Sequence, residues 1–182
     1  IQVCQKEIGD DAPQFDKLRV FYNHPGFVGP VSANVAEALA EFPEDRREKA
    51  ALIFTAHSIP MGMATGSLYE SQLKEACRLV GDELGRDDWS LVYQSRSGPP
   101  QQPWLEPDIL DHIRDLHQQG ITEMVIMPIG FVSDHMEVLF DLDTEAIELC
   151  SELGINMRRA KTVGTAAPFV SMIRQLIEER AL

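Results

Sequence analysis

Cysteines are few, basic residues are outnumbered and no hydrophobic run is long. The chain holds only Cys4, Cys77 and Cys150 in 182 residues, with no CxxC pair and no histidine at a zinc-finger offset. Neither a disulfide framework nor a zinc knuckle is expected. Cys77 falls on the apolar stripe of Leu73, Ala76, Val80 and Leu84, and Cys150 lies beside Leu149, so both read as small core residues. Such usage fits a reducing cytoplasm. Lys and Arg number 16 against 29 Asp and Glu, a formal net charge of −13. Clustered basic residues supply affinity for phosphate backbones and anionic bilayers, so nucleic acid and membrane surfaces are not expected as partners. The longest apolar run, Met124 to Val132, has nine residues, about half of the roughly 18 that cross a bilayer. No signal peptide is visible. GxGxxG and GxxxxGK[ST] are both absent, which removes the two glycine loops that cradle nucleotide phosphates.

What is present is the composition of one globular domain over residues 1–182, 44 % apolar and 25 % charged, with enough apolar content for a core. The chain opens on Ile1 rather than Met, and a fragment or processed piece of something longer is expected. Short β-rich runs alternate with helical patterns. The predicted strands are Leu18 to Tyr22, Ala51 to Ala56, Ser90 to Gln94, Glu123 to Ile129 and Met157 to Val163. The predicted helices are Val31 to Phe42, Tyr69 to Leu84, Asp108 to Gln119, His135 to Leu153 and Pro168 to Arg180, with Gly85, Gly120 and Gly154 where glycines end helices. This alternation predicts an open, doubly wound α/β domain with a mainly parallel sheet flanked by helices. In such sheets, ligands bind beyond the carboxyl ends of the strands.

Several chemistry-bearing residues fall in those loops. His57 follows Leu52-Ile-Phe-Thr-Ala and precedes Ser58-Ile-Pro60, so it could accept a proton, bind a metal or simply cap a turn. From Asp115 to Met157 there are nine carboxylates and no Lys or Arg. At helical spacing, Glu137, Asp141 and Glu145 fall within roughly 80° of one face, and Asp134 lies inside that arc. Leu139, Leu142, Ile147 and Cys150 are expected on the opposite face. The acidic line is either a solvated face or a cation site whose ion relieves like-charge repulsion. His57 with Glu137 suits a borderline ion such as ferrous iron, whereas Asp141 with Glu145 suits magnesium. The loop from Gln94 to Pro107 carries Gly98, Pro99, Pro100, Pro103 and Trp104, a stiff stretch that holds one indole as a pocket wall or a packed lid.

Three ordered motifs then carry a resemblance. Thr55-Ala-His-Ser-Ile-Pro-Met61, Leu91-Val-Tyr-Gln-Ser-Arg-Ser-Gly-Pro99 with Pro103-Trp-Leu105, and Pro128-Ile-Gly-Phe-Val-Ser-Asp-His-Met-Glu-Val-Leu139 together resemble the carboxyl-terminal half of ferrochelatases, most of all the actinobacterial coproporphyrin branch. The resemblance implies a single chelatase-fold domain, with an amino-terminal domain that is absent here. It implies insertion of Fe²⁺, as substrate, into a porphyrin (coproporphyrin III in that branch) between two such domains. By position, His57 matches the metal-site or proton-accepting histidine and Glu137 the facing glutamate. Asp134 and His135 complete the Ser-Asp-His-x-Glu motif, Asp141 and Glu145 match an acidic line leading away from the pocket, and Gln94 and Trp104 match pocket positions. A π-type distortion is implied after Phe131. The cysteine-rich tail that binds an iron–sulfur cluster in some relatives has no counterpart before Leu182, so no cluster is expected. A cobalt or sirohydrochlorin chelatase, or a half-domain that binds metal or tetrapyrrole without catalysis, is the alternative expectation.

Overall fold

The computed structural model describes residues 2–12, 15–99 and 101–181. Pro100, one of the prolines expected to stiffen the central loop, lies outside them, as do Ile1 and Leu182. Helices α1 (Gln2–Ile8), α2 (Pro25–Ala40) and α3 (Glu44–Arg47) precede strand β1 (Ala51–His57), and α4 (Met61–Ala64) and α5 (Tyr69–Leu84) follow it. Then come β2 (Trp89–Gln94), α6 (Ile109–Gln118), β3 (Glu123–Met127), α7 (Met136–Phe140), α8 (Ile147–Leu153), β4 (Asn156–Arg159) and α9 (Ala167–Ala181).

The four strands lie in the order β2-β1-β3-β4 and every neighbouring pair is parallel. Both faces are covered, as a parallel sheet requires. Leu52, Phe54, Ala56, Val125 and Met127 point into a core shared with α2, α5 and α9. Ile53, Met124 and Ile126 point the other way, onto α6 and the helix that ends at Leu153. The period-two alternation of the strands therefore sorts apolar residues between the faces of a three-layer sandwich. Strand order reverses between β1 and β3, so the crevice beyond their carboxyl ends is the topological switch point of the sheet. Among the described residues, no helix is long and apolar enough to cross a membrane.

Local signals explain most of the boundaries. Helix α5 buries Leu73, Ala76, Cys77 and Val80 and ends at Gly85, whose φ of 68° is left-handed. Asp108 caps α6 by accepting the Leu110 N–H at 2.8 Å. Helix α2 starts six residues before the predicted Val31. His24 Nδ1 accepts the Gly26 N–H at 2.9 Å and Pro25 occupies the first turn, so the helix runs through Pro30. Burial of Phe27 and Val28 offsets the hydrogen bond that Pro30 cannot make.

The predicted strand Leu18 to Tyr22 is not formed. That stretch pairs with no strand among the described residues. Its fixed points are side chains: Arg19 holds Glu179 of α9, and the Phe21 ring lies edge-on to Phe27 and Phe169, centroids 5.5 Å apart in each case. Strands β3 and β4 are shorter than expected, stopping at Met127 and Arg159. Beyond β3 the chain crosses the end of β1, where the Gly130 N–H bonds to the Thr55 carbonyl at 3.0 Å. A Cβ on Gly130 would sit 2.6 Å from the Ala56 side chain and 2.8 Å from its Cα. Gly130→Ala is therefore expected to lower unfolding free energy by about 1–3 kcal/mol in a urea titration. Gly29→Ala, in helix α2 with open space around it, should be neutral or gain up to about 1 kcal/mol.

Candidate active site

His57 ends β1, and its Cα partner in the β2 register is Gln94. The imidazole is anchored from below. Its Nδ1 lies 2.5 Å from the Ser58 carbonyl. Since a carbonyl only accepts, Nδ1 carries the hydrogen, and in the neutral tautomer the lone pair is on Nε2. Tyr69, at the start of α5, donates its hydroxyl to the His57 carbonyl at 3.0 Å, and burial raises its phenol above the ordinary range. The segment behind His57 is laced to the loop after β2. Ser58 Oγ donates to the Leu105 carbonyl at 2.8 Å, and Leu105 N–H to that of Ile59 at 3.0 Å.

Glu137 faces this imidazole from the first turn of α7, the helix after β3, with Oε1 3.7 Å from Nε2. The two side chains are 32 % and 50 % exposed, open to an entering ligand. At 3.7 Å they are too far apart for a hydrogen bond. With metal–ligand distances of about 2.1 Å, an ion between them would subtend roughly 120°, an angle that both donors can meet. No third donor joins them: among the described residues, no group of three or more His, Cys, Asp or Glu is arranged to hold a metal. The pair can hold a cation only with ligands from elsewhere, and either member can take a proton.

The predicted helix from His135 to Leu153 is real but not uniform. His135 is its cap, with Nδ1 accepting the Glu137 N–H at 3.3 Å and the ring edge-on to Phe131. Residues Asp141–Ala146 form a π-helical turn between α7 and α8, the distortion that the resemblance implied. A straight α-helix turns about 40° past alignment for every four residues; the wider π turn takes up that drift. Val138, Leu142, Ala146 and Cys150, four apart throughout, are consequently all buried. This corrects the expected apolar face, because Leu139 and Ile147 are exposed.

The carboxylates divide between different partners. Asp134 precedes the helix rather than joining its face, and Arg159 from β4 holds it at 3.1 Å. Arg159 also grips Asp143 with two bonds, 2.5 and 2.9 Å long. Two acids of the apparently unbalanced run are thus neutralised by a residue just beyond it. Asp141 accepts Gln94 Nε2 at 3.1 Å and the Ser95 hydroxyl at the same oxygen. Glu145 is exposed and, with Asp141, Asp108 and Phe140, lines a pocket of ≈ 290 Å³. Burial, with Asp111 and Asp141 nearby, raises the Asp108 carboxyl.

Gln94 is 1 % exposed, its amide nitrogen also reaches the Glu137 carbonyl at 3.3 Å, and its Oε1 has no hydrogen-bond partner among the described residues. Trp104 is half-buried, bridged to Pro60, with Gly98 against its ring and its indole N–H without a partner among the described residues. Sequence reasoning gave no role to Ser95, Tyr69 or Arg159. Two of them left a signal: Ser95 stands in the Gln-Ser motif after β2, and Arg159 is a basic residue flanking the acidic run.

The family model described as Ferrochelatase matches residues 2–181. The chain belongs to the ferrochelatase family. It is 54 % identical to a ferrochelatase of Rhodopirellula baltica over 178 residues, which is 97 % of this chain and 50 % of that protein. Identity is 46 % to a coproporphyrin III ferrochelatase of Streptomyces griseus over 188 residues, covering 95 % of this chain and 50 % of that one. A third relative, the coproporphyrin III ferrochelatase of Nocardia farcinica, is 43 % identical over 98 % of this chain and 53 % of its own length. The chain spans about half the length of these relatives.

The Arg159 cluster yields a stability test. Its side chain is 14 % exposed and its two acids 28 % and 35 %, so water screens the pairs only in part. Arg159→Ala should cost about 1–3 kcal/mol in chemical denaturation. Arg174→Ala, which breaks the exposed pair with Glu178, should change stability by less than about 0.5 kcal/mol.

Proposed function

We propose that the chain is the carboxyl-terminal half of a two-domain ferrochelatase that inserts ferrous iron into a porphyrin, coproporphyrin III, for haem synthesis in the cytoplasm. The observation that supports this most is His57 Nε2 facing Glu137 Oε1 across 3.7 Å at the switch point of the sheet. Insertion exchanges the water ligands of iron for four pyrrole nitrogens while two N–H protons leave. On this reading, His57 and Glu137 receive iron on one side of the macrocycle and accept those protons. By holding the Nδ1 hydrogen, the Ser58 carbonyl directs ligation or protonation of the neutral imidazole to Nε2, which can serve one of these tasks at a time while Glu137 serves the other. Iron here is cargo, which suits two protein donors completed by the porphyrin. The names of all three relatives favour iron over cobalt, and those of the Streptomyces and Nocardia proteins favour coproporphyrin III over protoporphyrin IX. Trp104 is read as pocket wall and Gln94 as part of the pocket frame.

In the full-length protein, His57→Ala should abolish iron insertion and Glu137→Gln should reduce it at least tenfold, with the fold retained, because both side chains stand in an open crevice. Turnover close to wild type at saturating iron in either variant would remove that residue from the mechanism. The isolated 182-residue chain should show no turnover, since a cleft with one wall neither excludes water nor holds a macrocycle; a steady-state porphyrin assay measures this.

The same proposal has an outer cation, magnesium, at Asp141 and Glu145, where one Asp141 oxygen is already taken by Gln94 and Ser95. Carboxylate with water suits magnesium, whereas imidazole with carboxylate suits cobalt or iron. Crystals soaked separately in cobalt and magnesium salts should show anomalous density at His57 and Glu137 for the first and a hydrated ion beside Glu145 for the second. An empty acidic face in both soaks would return Asp141 and Glu145 to the role of a solvated helix surface.

A further inference from the structure

Ser95 is the only residue other than glycine with positive φ among the described residues, at 62°. A left-handed backbone is costly for a residue with a Cβ and recurs where surrounding contacts impose it. Here the contact is plain. The turn brings the Ser95 hydroxyl onto Asp141 Oδ2, the oxygen that Gln94 Nε2 also reaches at 3.1 Å. Gln94 Nε2 bonds in addition to the Glu137 carbonyl at 3.3 Å. One amide from β2 therefore holds both ends of the helical turn between Glu137 and Asp141, and Asp141 is where the α-helix widens into the π turn. Gln94 is also the register partner of His57, and its carbonyl accepts the Ser58 N–H at 2.8 Å. The imidazole and the helix that carries the facing carboxylate are thus referred to the same rung of the sheet.

We propose that Gln94 and Ser95 are positioning residues: by holding Asp141 they fix where the helix widens and so set the separation of His57 and Glu137. Asp141 is then first an anchor, and its acceptor oxygen matters more than its charge. This rests on the ferrochelatase reading only in naming the reaction that the separation serves.

The test uses full-length protein carrying Ser95→Gly, Ser95→Ala, Asp141→Asn and Asp141→Leu, read by iron insertion, by thermal unfolding and by the visible spectrum of Co²⁺ titrated without porphyrin. Ser95→Gly removes the hydroxyl yet relieves the left-handed backbone. A latch predicts a fall of about tenfold in kcat for both Ser95 variants, the weight of one charge-assisted hydrogen bond, together with weaker Co²⁺ binding and an unchanged or raised Tm for the glycine. If Ser95 only shapes the loop, Ser95→Gly keeps wild-type kcat and Co²⁺ spectrum, and the proposal fails. Asp141→Asn keeps an acceptor and should lose several-fold less than Asp141→Leu; equal losses would mean that charge, not anchoring, is the role of Asp141. Should wild type bind Co²⁺ with the expected loss in the Ser95 variants but not insert iron, the functional reading falls and the latch stands.

Discussion

One rung of the sheet, His57 beside Gln94, sets the geometry of everything chemical in this chain. Parallel pairing with β2 runs along β1 up to His57, while β3 holds the other edge of β1 as far as Phe54. Because β1 is an interior strand with both faces covered, the imidazole stands at the end of a closely packed element. Glu137 lacks that advantage. It sits one residue into a five-residue helix that follows a loop, and it owes its place to contacts made from the sheet by Gln94 and from its own cap by His135. The rigidity of one partner is lent to the other through hydrogen bonds.

The framework was legible because periodicity reports on burial. Tyr69 to Leu84 was read to the residue, since its apolar stripe is regular and Gly85 closes it. Where the reading failed, burial came from another source. Leu18 to Tyr22 alternates like a strand, but the partner that fixes it is a helix carrying Glu179, and no local pattern encodes an ion pair spanning 160 residues. The stretch from His135 to Leu153 reads as one helix because a π turn leaves a sequence looking α-helical until the buried positions are known. The four-residue spacing of Val138, Leu142, Ala146 and Cys150 becomes diagnostic only afterwards.

The sequence placed the candidate pair together but not its restraints. His57 at a strand end and Glu137 in the first turn of the helix after β3 do face each other across 3.7 Å. Asp134 was placed on the helix face by counting at 100° per residue, but the chain is extended at His135, with φ −98° and ψ −178°, so Asp134 turns away to Arg159. The role of Ser95 was hidden for a different reason. Serine has no sequence mark for a left-handed backbone, and its value here depends on an aspartate 46 residues away. Arg159 and Ser95 both act across elements, which is the kind of information that a one-dimensional reading loses.

On the proposed function, a cation would meet two protein donors among the described residues, His57 and Glu137, and this bears on time as well as geometry. An ion held by one imidazole and one carboxylate, each more than a quarter exposed, keeps most of its coordination sphere in exchange with water. Its dwell there is short compared with that in a closed four-ligand site. Such a station accepts a cation readily and surrenders it to any ligand that offers more nitrogens, so the direction of traffic is set by the acceptor rather than by the protein.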